Sequence, residues 1–149
     1  PEERLDFEMV LQRGDERYRM SVILDEDENP VGILFFWEFA KFIYIEHLAF
    51  SHNQRGKGWG SRVLKEFMNL NKLPVVLEIE LPETTDAQRR LVFYERLGFV
   101  RNNYRYIQPP YSDGKPSIEM LVMSTNSLTE DHFEEVRKTL HRDVYKAKI

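Results

Sequence analysis

Residues 55–60, Arg55-Gly56-Lys57-Gly58-Trp59-Gly60, stand directly between an apolar, β-rich run and a run of apolar residues at helical spacing. The first amides of a helix have no partner inside the helix, and the helix dipole adds partial positive charge at that end. Glycine lets such amides approach an anion closely because it carries no side chain. We therefore predict that this stretch opens a helix and holds a pyrophosphate, with Arg55 and Lys57 adding formal charge at the rim.

The spacing of these glycines excludes two common phosphate-binding loops. A P-loop needs Gly-Lys followed at once by Ser or Thr, whereas Lys57 is followed by Gly58. The dinucleotide fingerprint has glycine at its first, third and sixth positions, and here the glycines fall at the first, third and fifth. The pattern that fits is Arg-x-x-Gly-x-Gly, at Arg55, Gly58 and Gly60. A flexible turn with incidental charges is the plainer alternative, but the strand before it and the helix after it favour a phosphate site.

Alternating and helical patterns on either side of this stretch predict the other elements. The predicted order is a helix over 2–11, strands over 18–24, 31–39 and 42–50, a helix after Gly60, a strand over 75–81, a helix over 85–97, strands over 99–107 and 117–124, and a C-terminal helix over 128–145. Gly98 is predicted to end its helix in a left-handed conformation, and Ser127 with Glu130 to form a capping box. This order indicates an α+β (α/β) fold with one mixed sheet.

Composition and charge narrow the class of protein. The 149 residues have the length of one domain, which we predict to span 1–149. There is no cysteine, which excludes disulfides and thiolate metal sites and is typical of a cytoplasmic protein. The net charge of −4 argues against a nucleic-acid partner, because nucleic acid usually recruits a basic face. The most apolar window, 31–50, is interrupted by Glu38, Lys41 and Glu46, so we expect buried strands and no membrane partner.

Two separate motifs make the chain resemble the GNAT family of N-acetyltransferases. The run over 55–64, which continues from Gly60 as Ser61-Arg62-Val63-Leu64, resembles the acetyl-CoA signature of that family. The segment 91–99, Leu-Val-Phe-Tyr-Glu-Arg-Leu-Gly-Phe, resembles the later family helix that typically ends Tyr-Glu-Lys-x-Gly-Phe. The resemblance covers roughly residues 18–124 and implies a mixed, mostly antiparallel sheet with a splayed parallel pair, flanked by helices.

The same resemblance implies where the cofactor, acetyl-CoA, is bound. Its pantetheine arm would lie along the end of the strand 42–50 and contact the backbone of Leu48, Ala49 and Phe50. Its pyrophosphate would be held beside Arg55 by the amides of Gly56, Lys57, Gly58, Trp59, Gly60 and Ser61. No metal is implied. The family usually has a strand and a helix pair before the first hairpin, so we expect part of this region to be missing or remodelled.

Two residues are predicted to carry the chemistry. Acetyl transfer to an amine needs a base for the amine and a proton for the departing thiolate. Strict alternation places Glu46 on the face of Tyr44 and Leu48, and many family members use a Glu near this position to activate the amine directly or through water. Tyr94 matches the family tyrosine that protonates the thiolate. A solvated strand carboxylate and a core tyrosine are the plainer alternatives.

Three further residues are weighed as alternatives for the base. His47 is predicted to point to the opposite face from Glu46, unless a bulge intervenes, and to be structural. Glu78 and Glu80 share one face of the neighbouring strand and are secondary candidates.

The sequence therefore predicts an acetyl-CoA-dependent N-acetyltransferase that moves an acetyl group to a primary amine by direct attack in a ternary complex. The expected acceptor is a small-molecule or peptide amine. In the layout that the resemblance implies, the aromatic and proline-rich segment 104–111 would lie over the acceptor side, and a rigid proline loop is the plainer alternative. Another acyl group, a hydroxyl acceptor and a non-catalytic acyl-CoA sensor remain open. A further alternative is an interaction module whose C-terminal helix forms a homodimer.

Overall fold

The structure is a computed structural model that describes residues 15–110 and 114–146. The helix predicted over 2–11 lies outside the described residues. The chain divides into two compact units, Pro1–Val75 and Val76–Ile149, and each unit contains antiparallel strands of its own.

The first unit is built on an antiparallel meander, in which β1 (Tyr18–Leu24), β2 (Pro30–Glu38) and β3 (Ile43–Phe50) follow one another. A tight turn joins β1 to β2, because Oδ1 of Asp25 accepts hydrogen bonds from the amides of Asp27 and Asn29, both at 2.9 Å. The middle strand β2 carries the fully buried rings of this unit. Its alternating side chains therefore define the two faces of the meander.

One of these faces is covered by the helix that follows β3. A 3₁₀ turn (His52–Gln54) leads from β3 into helix α1 (Trp59–Leu70). The ring of Phe67 in α1 meets the ring of Phe36 edge-on, with 5.0 Å between centroids, and Leu64 in the middle of α1 is buried. Phe35 and Trp37 alternate onto the opposite face.

The second unit combines three strands with two helices. These elements are β4 (Val75–Glu80), α2 (Thr85–Arg96), β5 (Val100–Gln108), β6 (Ile118–Ser124) and α3 (Glu130–Thr139), which continues as a π-helical turn (Leu140–Val144). β6 pairs antiparallel with both β4 and β5 and is the middle strand. The ring of Phe133 contacts the rings of Tyr104 and Tyr106, with 4.9 and 6.3 Å between centroids, so α3 covers a face of β5.

Of the two predicted helix caps, the one at the end of α2 is observed and the one at the start of α3 is not. Gly98 adopts the predicted left-handed conformation after α2, with a φ of 102°. The capping box at Ser127 and Glu130 is wrong, because the N-cap of α3 is Thr129, whose Oγ1 accepts from the amide of His132 at 3.2 Å. The α-helical part of the last helix also ends earlier than predicted, at Thr139, where the π-helical turn begins.

Candidate active site

The predicted pyrophosphate cradle forms the start of α1. Gly58 is the N-cap with a φ of 77°, and Gly56 has the same φ, a left-handed conformation that L side chains disfavour. Within the described residues, no side chain caps this helix, and its first turn contains no acidic residue. A Cβ added to either glycine meets no atom within 4 Å, so the backbone faces open space. The residues present therefore fit a pyrophosphate, which would bind the exposed amides.

Trp59 and Arg62 form a fixed pair beside the cradle. The indole nitrogen of Trp59 donates to Oε1 of Gln54 at 3.1 Å, and the guanidinium of Arg62 lies 4.5 Å from the centroid of the Trp59 ring. Arg55 and Lys57 are exposed on the preceding turn. Their positive charges add to the field of the helix dipole, which favours an anion at this end.

The backbone predicted to contact the pantetheine arm lies at the end of β3. Leu48, Ala49 and Phe50 are half-buried there and pair with β2. A Cβ added to Gly32 would lie 2.5 Å from Cδ1 of Phe50 and 2.8 Å from the carbonyl oxygen of Ala49. This position in β2 therefore requires glycine, which lets the Phe50 ring pack directly on the backbone and fixes the end of β3.

A β-bulge at Glu46 changes the direction of the side chains in β3. His47 lies opposite Phe35, whereas Ile45 lies opposite Phe36, so Glu46 is an extra residue in the register between the two strands. Directly opposed residues of an antiparallel pair point to the same face. His47 therefore points to the face of Phe35, which is the face that α1 leaves uncovered.

This bulge corrects the prediction for Leu48, which rested on strict alternation. Leu48 pairs with Leu34 and so lies on the face opposite Tyr44, where alternation had placed it on the same face. For His47 the stated exception applies, because the bulge brings it to the face of Tyr44. The physical reason is that one extra residue reverses the alternation beyond it. Glu46 and His47 are adjacent polar residues in an otherwise apolar strand, and that interruption is the signal from which a bulge could have been predicted.

The carboxylate of Glu46 is enclosed by polar groups of three other residues. Its Oε1 accepts from the indole nitrogen of Trp37 at 2.9 Å, and its Oε2 accepts from the Tyr18 hydroxyl at 3.3 Å. Nε2 of His47 lies 3.2 Å from the same Oε2. The Glu46 side chain is only 2% exposed, and a buried carboxylate is tolerated where hydrogen-bond donors such as those of Trp37 and Tyr18 reach it. Sequence reasoning missed Tyr18 and Trp37, because ordinary strand aromatics give no sign of a shared partner.

Tyr94 lies in α2, where its ring contacts Phe93 and Phe99 with 5.2 and 5.7 Å between centroids. Its hydroxyl makes no hydrogen bond to the part of the chain that the structure describes. Burial raises the pKa of Tyr94 above the ordinary 10.0, and the charge of Arg90 lowers it by a smaller amount. The phenol therefore holds its proton at neutral pH, as a proton donor must.

The secondary candidates Glu78 and Glu80 have different surroundings. Glu78 accepts hydrogen bonds from the hydroxyls of Tyr106 and Tyr145 and, at 2.8 Å, from the amide of Gln108. Glu80 is exposed and forms an ion pair with an arginine of α2 at 3.0 Å. Glu78 thus belongs to a satisfied polar cluster that ties β4 and β5 to the end of the last helix.

Within residues 15–110 and 114–146, no group of three or more His, Cys, Asp or Glu side chains could hold a metal ion. None of the helices in the same ranges combines the length and the apolar character needed to cross a bilayer.

Comparison with known families identifies the chain. The profile described as "Acetyltransferase (GNAT) domain" matches residues 17–101, which is more than half of the chain. The chain belongs to the GNAT family of acetyltransferases. Among curated proteins, this GNAT chain is 30% identical over 129 residues to "Putative acetyltransferase YjbC" of Bacillus subtilis (strain 168), an alignment that covers 84% of this chain and 67% of the relative.

Solved structures agree with this assignment. A "Putative acetyltransferase from GNAT family" from Bacteroides thetaiotaomicron is 34% identical and superimposes with a TM-score of 0.88, covering 98% of this chain and 84% of that one. A Vibrio cholerae spermidine N-acetyltransferase in complex with CoA and spermine has a TM-score of 0.59 at 15% identity, covering 86% of this chain and 75% of that one, and so shows the fold alone. The predicted GNAT-like α+β fold, mostly antiparallel and flanked by helices, is confirmed.

Proposed function

We propose that this GNAT chain acts as a single N-acetyltransferase domain that uses acetyl-CoA and acetylates a primary amine by direct attack in a ternary complex. The observation that carries the proposal is the start of α1, where left-handed Gly56 and Gly58 leave uncapped amides among basic side chains. This arrangement suits a pyrophosphate, which CoA contains. Bound acetyl-CoA would supply the activated acetyl thioester, held at the cradle and along Leu48, Ala49 and Phe50.

An amine is the proposed acceptor class. The Vibrio cholerae neighbour holds CoA and spermine, and its shared fold supports an amine acceptor. The net charge of −4 supports a cationic amine as well, because an acidic protein attracts cations over long range. Small amines and the amino groups of peptides both fit this chemistry.

Glu46 is proposed to serve the removal of the amine proton, and Tyr94 is the proposed acid. The Glu46 carboxylate is 2% exposed, so it would act on an amine through a neighbouring group instead of by direct contact. Tyr94 keeps its proton at neutral pH because burial raises its pKa, and it would donate that proton to the departing thiolate. A backbone amide near Leu48–Phe50 is the proposed oxyanion donor.

The test of this function is acetyl transfer to a panel of acceptors, followed by mass spectrometry. The panel contains spermine, spermidine, lysine, a peptide with a free N-terminus, and an alcohol of similar size without an amine. We expect one or more amines to gain an acetyl group and the alcohol to stay unmodified. Acetylation of the alcohol would contradict the amine assignment, and binding of acetyl-CoA with no transfer to any acceptor would favour a non-catalytic sensor.

The assigned roles are tested by the substitutions Glu46→Gln and Tyr94→Phe. Each should lower kcat by about 10²–10⁴-fold, the usual contribution of a positioned acid or base. Glu95→Gln is the matched control, because Glu95 is exposed on α2 immediately after Tyr94 and should leave kcat unchanged. If both Glu46→Gln and Tyr94→Phe keep full kcat, the two roles are wrongly assigned even though the family is right.

A further inference from the structure

The bulge in β3 brings two adjacent ionisable side chains to one face of the first unit. Glu46 and His47 would point to opposite faces in a regular strand, but the extra residue places both on the face of Phe35 and Trp37. Nε2 of His47 lies 3.2 Å from Oε2 of Glu46. The two side chains therefore form a contact that a regular strand cannot make.

The two members of this pair differ in access to solvent. The carboxylate of Glu46 is 2% exposed and already accepts from Trp37 at Oε1 and from Tyr18 at Oε2. The imidazole of His47 is 41% exposed, and its ring meets Phe35 edge-on at 6.4 Å. Among the described residues, no group is hydrogen-bonded to Nδ1 of His47. An approaching amine can therefore reach His47 and cannot reach the Glu46 carboxylate.

We propose that His47 is the catalytic base, which takes the amine proton at Nδ1, and that Glu46 is a positioning residue that holds the proton on Nε2. The proposal rests on the proposed acetyltransferase function. A carboxylate beside one imidazole nitrogen fixes the tautomer and stabilises the imidazolium that forms when the other nitrogen is protonated. Histidine is also the side chain that most often serves as a general base near neutral pH.

Every proton in this step is accounted for by His47, Tyr94 and solvent. An amine that arrives as an ammonium ion first loses one proton to solvent. The neutral nitrogen then forms a bond to the acetyl carbon as the carbon–sulfur bond breaks, and its surplus proton passes to Nδ1 of His47. The departing thiolate receives the proton of the Tyr94 hydroxyl. Solvent then takes the proton from His47 and returns one to Tyr94, which restores both groups.

The surroundings of Glu46 make Glu46→Gln informative about this assignment. The Trp37 indole can only donate, so the amide oxygen of the glutamine must face it and accept its hydrogen bond. The amide nitrogen then takes the place of Oε2, next to His47. An N–H donor at that place favours the tautomer with the proton on Nδ1, and that nitrogen can no longer accept a proton.

The first test reads the tautomer directly, without cofactor or acceptor. Long-range ¹H–¹⁵N NMR spectra of the imidazoles distinguish a protonated from an unprotonated ring nitrogen, and His47→Gln assigns the His47 signals among the four histidines. We expect His47 to carry its proton on Nε2 in the wild type and on Nδ1 in Glu46→Gln. A wild-type proton on Nδ1, or a tautomer that does not respond to Glu46→Gln, overturns the proposal.

The second test compares turnover with the best amine of the panel. His47→Ala should lose at least ~10²-fold in kcat with little change in KM for acetyl-CoA, and added imidazole should restore part of kcat. His132→Gln is the control, because His132 is exposed on α3 and far along the chain from the bulge. Full activity of His47→Ala alongside an inactive Glu46→Gln would assign the base to Glu46 itself. If the wild type transfers no acetyl group to any amine, the proposed function is contradicted. The NMR experiment still tests the pairing of Glu46 with His47, because it needs neither cofactor nor acceptor.

Discussion

The hydrogen bonds that end α2 also hold Tyr94 in position. The amide of Phe99 donates to the carbonyl of Tyr94 at 3.1 Å, and the amide of Gly98 donates to the carbonyl of Glu95 at 3.0 Å. This pair of hydrogen bonds is a Schellman motif, and the contact between the rings of Tyr94 and Phe99 is the apolar contact that accompanies it. The motif Tyr-Glu-x-x-Gly-Phe therefore has a structural role, because the same contacts end the helix and hold the tyrosine ring in place.

The substitution Gly98→Ala tests this account at the level of one residue. Gly98 has a φ of 102°, and a Cβ there meets no atom within 4 Å, so the cost comes from backbone strain alone. We expect the free energy of unfolding, measured in urea, to fall by about 1–2 kcal/mol. Glu95→Ala, at an exposed helical position, should change it by less than about 0.5 kcal/mol. Equal stabilities of the two variants would show that the left-handed residue does not limit this helix end.

At the scale of elements, local patterns predicted strands and helices well. The strand over 18–24 agrees with β1 at both ends, because alternating residues and the turn after Leu24 are signals within a few residues. The bulge at Glu46 was allowed for but not predicted. The adjacent polar residues Glu46 and His47 mark an interruption in β3, whereas the position of the extra residue depends on how β3 pairs with β2. The candidate site divides in the same way: the cradle and Tyr94 lie within single motifs, whereas Tyr18, Trp37 and His47 meet Glu46 only through strand pairing.

The N-cap of α3 is a second feature that local sequence patterns could not decide. Ser127 and Thr129 both have side chains that can cap a helix, so the sequence permits either. The amide of Leu128 donates to Oδ1 of the buried Asn102 at 2.9 Å, and its carbonyl accepts from the Tyr104 hydroxyl at 3.2 Å. These bonds to β5 hold residue 128 outside the helix. The cap is therefore decided by contacts from a distant part of the chain.

The pair Thr129→Ala and Ser127→Ala tests which residue is the cap. Thr129→Ala removes the acceptor for the amide of His132 and should lower the free energy of unfolding by about 1 kcal/mol. Ser127→Ala should leave it nearly unchanged in the same urea experiment. A larger loss from Ser127→Ala would contradict the observed cap.

The π-helical turn after α3 makes stability depend on pH through His141. Burial, helped by the charge of Arg137, lowers the pKa of His141, although its contact with the carbonyl of Ile107 opposes this. The unfolded chain therefore binds the proton more readily, so stability is full above the ordinary pKa of ~6.5 and falls as the pH drops below it. His141→Gln should flatten the slope of unfolding free energy between pH 7.5 and about 5. His132→Gln, at an exposed position, should keep the wild-type slope, and an unchanged slope in His141→Gln would contradict this cause.

At the scale of the whole molecule, the last helix has a role within its own unit. Its apolar residues Phe133, Val136, Leu140 and Val144 are at most 4% exposed. This stripe packs onto the second unit, as the contacts of Phe133 with β5 indicate, and it does not offer a surface to a second copy. A homodimer stays a prediction, to be measured by sedimentation, and its interface would have to lie elsewhere.

We expect the turn at 55–60 to bind acetyl-CoA, and both the family assignment and the geometry of the cradle support this. The match to the GNAT profile includes this turn, and the exposed amides at the start of α1 fit a pyrophosphate. The substitution Gly58→Val would add a branched side chain at the N-cap and strain its left-handed backbone, which positions those amides. It separates binding at this turn from binding anywhere else on the protein.

The most direct measurement is the stabilisation of the protein by CoA, compared between the wild type and Gly58→Val. A ligand at about 100 times its Kd adds about 2.7 kcal/mol to the free energy of unfolding, so millimolar CoA should raise the Tm of the wild type by several degrees. Thr129→Ala, which lowers stability away from the cradle, should show the same rise from its lower starting Tm. The account predicts that Gly58→Val loses the rise. No rise in the wild type, or an equal rise in Gly58→Val, would contradict it.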